Sequence, residues 1–280
     1  MTVRVLPSPV HKPDPATRFS LQMQGARCDE IVSSETSGGA TTSHTILVGA
    51  LTTVLATVPE RAELDEYAAA VLEDNILGKA TQGARKRTFR YLRELYLLRG
   101  DSTLFRALRD LWRDDIEAQP LLAGLCATAR DPLFRATAPT ILDFMVGDEV
   151  TPGDLGEAVE AQFPGSYNDG TRAKIGRNTA SSWEQTGHLE SHGRTPKSRR
   201  RATCRPSNLA YALMLGHLQG LRGEMLFDSL WTRLLDQPRG NLFDVATTAS
   251  HRGLIEFRRI GGVTEVGFRM LLRPVEGHLL

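Results

Sequence analysis

The chain has 280 residues, 41% hydrophobic and 24% charged, with a net charge of +1. That length suits one large domain or two ordinary ones with a substantial core, and the composition is ordinary for a globular protein. The three cysteines, Cys28, Cys126 and Cys204, are odd in number, far apart and without CxxC spacing, which argues against a disulfide framework or zinc site and suits a reducing cytoplasm.

The N-terminus is rich in proline and has no apolar signal core. Residues 1–43 read as an arm, partly disordered, that ends in the polar Ser33–Ser43 loop. The most apolar run, Thr45 to Val58, is interrupted by threonines and is shorter than the roughly 20 residues of a spanning helix. It reads as a buried helix, and no membrane association is expected. An N-terminal helical domain then covers 44–146. Pro59 stands near a helix start, and Leu64, Tyr67, Ala68, Val71 and Leu72 form an amphipathic stripe. A helix over Ala84–Leu98 closes before Gly100. Ser102 is a candidate N-cap for a helix carrying Leu104, Phe105, Leu108, Leu111 and Trp112. Further helices start near Pro120 and Pro132.

A boundary is expected near Gly147, with a second domain over 147–280. Thr151-Pro152 opens a helix favoured by Asp154 at its positive end, and Pro164-Gly165 stops it. The helix Thr171–Thr186 ends at Gly187. Leu189 to Thr203 reads as two short strands around a Gly193–Pro196 turn. Ser207 is placed to cap a helix carrying Leu209, Leu213, His217 and Leu221. Phe227, Leu230, Trp231 and Leu234 form another stripe, and Asn241–Ser250 a short helix closed by Gly253. A hairpin turning at Gly261-Gly262 follows. It reads either as a second winged element, near Arg252, Arg258 and Arg259, or as a closure of the core.

The near-neutral sum hides an asymmetry. Gly170 to Arg205 holds nine basic residues and two acids, a local +7 that leaves −6 for the rest. A concentrated positive patch attracts polyanions. On the Thr171–Thr186 helix, Ile175, Gly176, Thr179, Ala180 and Trp183 share one face. Lys174, Arg177, Asn178, Ser181 and Gln185 share another, made of side chains that suit phosphates and base edges. A helix, a turn, this helix and a basic hairpin follow the order of a winged helix-turn-helix. The expected DNA contacts are therefore Arg172, Lys174, Arg177, Asn178 and Ser181, a wing with Arg194, Lys197, Arg199, Arg200 and Arg201, and Arg205. The run Arg85-Lys86-Arg87, continued by Arg90 and Arg93, is either a second phosphate contact or a solvated helix face. With it, Arg85, Lys86, Arg90 and Arg93 join the candidates.

No catalytic set emerges. His188 and His192 have i, i+4 spacing, but HLESH is not HExxH and a strand and turn spoil the ligand geometry. No Walker A, GxSxG or GxGxxG run occurs. Asp143, Asp148 and Glu149 lack a basic or histidine partner nearby. The expectation is a non-enzymatic protein with no cofactor and no metal.

Residues Asn75 to Thr88, the stretch around Ala127–Arg135, Lys174 to Leu189 and Ala210 to Phe227 resemble the BrxA family of bacteriophage exclusion (BREX) defence systems. The most specific string is Arg177-Asn178, Ser181-Ser182-Trp183 and Gly187-His188-Leu189, and the resemblance covers Leu64 to Phe268. It implies a mainly α protein that binds double-stranded DNA with little sequence preference and works beside other BREX proteins. The expected fold is two helical lobes with winged helix-turn-helix elements and a C-terminal β-hairpin. The rival reading is an adaptor whose basic segment docks an acidic partner of the defence complex.

Overall fold

The computed structural model describes residues 29–191, 193 and 196–273. Most of the expected arm, together with Arg194 of the expected wing, lies outside the described residues. The protein is mainly helical, with a few short strands. The first half holds α1 (Val48–Thr57), α2 (Leu64–Leu72), α3 (Gln82–Tyr96), α4 (Thr103–Trp112), α5 (Gln119–Arg130), α6 (Pro132–Ala136) and α7 (Ala138–Asp143). The second holds β1 (Glu149–Val150), α8 (Pro152–Gln162), α9 (Asp169–Gln185), β2 (Leu189–Glu190), β3 (Lys197–Arg199), α10 (Pro206–Leu218), α11 (Leu230–Arg233), α12 (Arg239–His251), β4 (Glu256–Ile260) and β5 (Val263–Gly267).

The apolar stripes read from the sequence face the core. Val48, Leu51, Val54 and Leu55 of α1 are buried, as are Leu104, Phe105, Leu108, Leu111 and Trp112 of α4. Each such side chain removed from water contributes roughly 1.5–3 kcal/mol before chain entropy is counted. Helix α5 is buried from Leu121 through Ala129; a helix apolar on every side belongs at the centre. Helices α1, α3, α4 and α10 pack around it. Trp183 of α9 lies against Phe134 of α6, ring centroids 4.3 Å apart. The main apolar core therefore runs through both halves, with a smaller cluster of Leu133, Val159, Phe163 and Ile175 beside it. The expected division near Gly147 falls on an exposed turn, with the core continuous past it.

Caps explain most helix starts. Ser102 Oγ accepts from the Phe105 amide at 3.1 Å, and Thr151 and Asp154 form a reciprocal capping box at α8. Three expectations change. Helix α3 ends at Tyr96, two residues before the expected Leu98, and Leu97 and Leu98, with φ of 66° and 54°, turn the chain there in place of Gly100; the complete burial of Leu98 holds a left-handed backbone that leucine alone disfavours. Ser207 does not cap α10: its hydroxyl donates to the Asp114 carboxylate. The stripe from Phe227 to Leu234 is split into a 3₁₀ turn at Gly223–Asp228 and the single turn α11.

The strands form two small antiparallel sheets. In the first the order is β1-β3-β2, with Glu149 opposite Ser198 and Leu189 opposite Arg199. The second is the hairpin β4-β5, in which Ile260 faces Val263 across Gly261-Gly262. Both glycines have positive φ, 58° and 86°, as a two-residue primed turn requires.

Candidate nucleic-acid interface

Helices α8 and α9 pack closely along their lengths. A Cβ on Gly176 would stand 2.0 Å from the Pro152 carbonyl oxygen, so only glycine allows this approach. Asn168 caps α9 by accepting from the Thr171 amide at 2.9 Å. Ile175, Gly176, Thr179, Ala180 and Trp183 are buried as read. Lys174 and Arg177 are exposed.

The polar face does not stay open along its whole length. Asn178 Nδ2 donates to the Thr41 carbonyl at 2.8 Å. Ser182 Oγ accepts from the Ile46 amide at 3.1 Å, and Gln185 Oε1 from the Val48 amide at 3.0 Å. These two bonds satisfy amides at the start of α1, where Leu47 supplies no side-chain cap. The C-terminal half of α9 is thus a docking face for the preceding segment. Asn178, expected to read base edges, is half-buried and occupied there, and Ser181 beside it is half-buried too.

The two strands after α9 pair as expected, but two of the four described wing cations, Lys197 and Arg199, are spent inside. Lys197 is buried, with Nζ on the Glu184 carboxylate and on Ser191 Oγ at 2.8 Å. Arg199 is 3% exposed; it donates to the Ile141 carbonyl at 2.7 Å and pairs with Asp236 at 2.9 Å. Arg205 pairs with Asp115 at 2.7 Å and Glu117 at 3.2 Å, and Arg172 with Glu160 at 3.2 Å and Asp169 at 2.7 Å. Arg200 is exposed, 3.7 Å from Glu190, and Arg201 is exposed. Lys197 and Arg199 are corrected from wing contacts to structural residues. A charge is buried only with its partners in place, and here those partners come from distant parts of the chain.

The second basic run meets α9 in space. A 3₁₀ turn at Ala40–Thr42 packs against both α9 and α3. Just after it, the His44 ring lies 5.0 Å from the ring of Tyr91 on α3. Burial lowers the His44 pKa below its ordinary value, and the positive charges of Lys79, Lys174 and Arg87 lower it further. The charges of three separate stretches of chain therefore act on one imidazole. None of Lys79, Arg87 and Lys174 forms an ion pair among the described residues. Arg90 covers the Tyr91 ring at 4.7 Å and meets Glu94 at 3.5 Å. Lys86 and Arg93 are exposed, the latter 5.9 Å from the Phe89 ring centroid. Arg85 turns away and donates to the Leu72 carbonyl at 3.1 Å, at the carbonyl end of α2; it is structural. A groove of about 470 Å³, lined in part by Ser43, Arg90, Tyr91 and Arg130, adjoins this junction.

His44 and Lys79 were not candidates in the sequence, and Arg87 was read only as part of a run. No local signal marks them, because the junction is made by contacts between distant segments. Compared with known proteins, the chain matches no protein-family model, no curated protein and no solved structure. Among the described residues no helix is long and apolar enough to cross a membrane, and no cluster of His, Cys, Asp and Glu could hold a metal ion.

Proposed function

We propose that this protein is a non-enzymatic double-stranded DNA-binding protein that grips the phosphate backbone across the junction of α3, α9 and the loop carrying His44. The observation that carries the reading is the packing of the turn before His44 against both α3 and α9, helices that expose Arg87, Lys174 and Arg177; the charges of Lys79, Arg87 and Lys174 all act on the His44 ring. Unpaired cations gathered on one face raise the local potential and favour a polyanion.

The order α7, β1, α8, α9, β2, β3, with β3 between β1 and β2, agrees with a winged helix-turn-helix in which α9 is the groove helix. The link from Phe163 to Asn168 is longer than the usual tight turn. The occupied amide of Asn178 and the capping role of Gln185 leave α9 with cations but few base readers, which favours binding with little sequence preference. The resemblance to the BrxA family supports the same reading and would place the protein in a BREX-type defence system.

The test is fluorescence anisotropy with several unrelated labelled duplexes over a range of salt. Similar affinities that fall steeply with salt are expected. No binding at low salt by folded protein would reject the reading and leave a protein-docking role for the basic face.

A further inference from the structure

We propose that His44 is itself a ligand of a DNA phosphate, and that the protein takes up a proton at this imidazole when the phosphodiester docks among Lys79, Arg87 and Lys174. The inference rests on the DNA-binding reading and adds a site and a signature to it.

The ring is well placed for the role. His44 is half-buried, with its backbone amide on the Ala40 carbonyl at 2.9 Å and its ring beside Tyr91 at 5.0 Å. The loop holds it at the meeting point of three packed segments. Each segment carries a cation whose charge acts on the ring: Lys79 in the link between α2 and α3, Arg87 on α3, and Lys174 on α9, with Arg87 and Lys174 exposed. Glu94 and Asp131 line the adjoining groove, but the charges that act on the His44 ring are those of the three cations. Like charges and burial disfavour the imidazolium in the free protein.

A phosphodiester at this point reverses the balance. Its negative charge offsets the three cations and favours a fourth. Protonated imidazole presents two N–H donors, one of which can meet a phosphate oxygen in a charge-assisted bond. The proton comes from solvent, and no covalent bond changes. By linkage, an anion that raises the His44 pKa must bind more tightly as the pH falls. An uncharged glutamine in its place would bind without this dependence, and an arginine would carry the charge at every pH.

The experiment measures duplex affinity by anisotropy between about pH 8 and pH 6, within the natural range of histidine titration. Wild type, His44→Gln and His44→Arg are compared, and the His44 ring resonance is followed by NMR with and without duplex. His188 does not interfere, because burial pushes its pKa down to about 4. Wild-type affinity is expected to rise as pH falls, by up to tenfold for each unit by which DNA raises the His44 pKa. His44→Gln should lack that extra rise, and His44→Arg should bind tightly throughout. Equal pH dependence in wild type and His44→Gln, or an unmoved His44 resonance in the complex, would overturn the inference while leaving DNA binding intact. Failure of folded wild type to bind duplex at all would overturn the DNA-binding reading and this inference with it.

Discussion

Removing a guanidinium from water leaves it dependent on the partners folding supplies, and Arg199 finds Asp236 and the carbonyl of Ile141. Arg199→Ala strands Asp236 and should cost about 3–5 kcal/mol in urea unfolding, whereas exposed Arg201→Ala should change stability by less than ~0.5 kcal/mol. Equal effects would contradict the split between structural and surface arginines. That split was partly legible: in a strand Lys197 and Arg199 point to one side and Ser198 to the other. What the sequence could not reveal is which side is buried, since Glu184 and Asp236 approach from other elements. His188 is a second buried polar residue. Its Nε2 lies 2.9 Å from the Leu234 carbonyl, so this nitrogen carries the proton, and Nδ1 accepts from the Thr186 hydroxyl at 2.7 Å. Burial lowers its pKa from 6.5 to about 4. The unfolded chain therefore binds the proton first as pH falls. The stability linked to neutral His188, about 3 kcal/mol, is complete above pH 6.5 and is lost on the way down to pH 4. An NMR titration of the ring in the folded protein checks this; protonation near 6.5 would contradict it.

Elements were legible where length and caps marked them. The long helices α3, α4, α5, α8, α9 and α10 appear near where they were read, the stripe of α4 and the inward face of α9 are buried, and the Gly261-Gly262 hairpin forms on both glycines. Helix α7 and strand β1 were not foreseen: six residues and two residues are too few to display a period. The α3 terminus falls two residues before the Leu98 read from the sequence, because burial of Leu98 outweighs its backbone preference. At the contact of α8 and α9, Gly176→Ala should force the helices apart and lower stability by about 1–3 kcal/mol, because the new Cβ meets the Pro152 oxygen at 2.0 Å. Thermal unfolding of the variant checks this, and an unchanged midpoint would mean the helices are not so close.

At the scale of the whole molecule, charge summed along the chain differs from charge exposed in space. The +7 of Gly170–Arg205 is largely answered by acids from inside and outside that segment: Glu160, Asp169, Glu184 and Asp236, with Asp115 and Glu117. Lys174, Arg177 and Arg201 are left exposed without an ion pair among the described residues, Arg200 is exposed beside Glu190, and the fold adds Lys79 and Arg87 from a segment nearly a hundred residues earlier. The most direct test of the account compares wild type with an Arg87→Ala/Lys174→Ala/Arg177→Ala variant in anisotropy titrations of one duplex at several salt concentrations. Three lost phosphate contacts should flatten the slope of log K against log salt by roughly 2.7. A folded variant that binds with the wild-type slope would show that DNA, if bound, is held elsewhere, and would contradict the assignment of this junction as the interface.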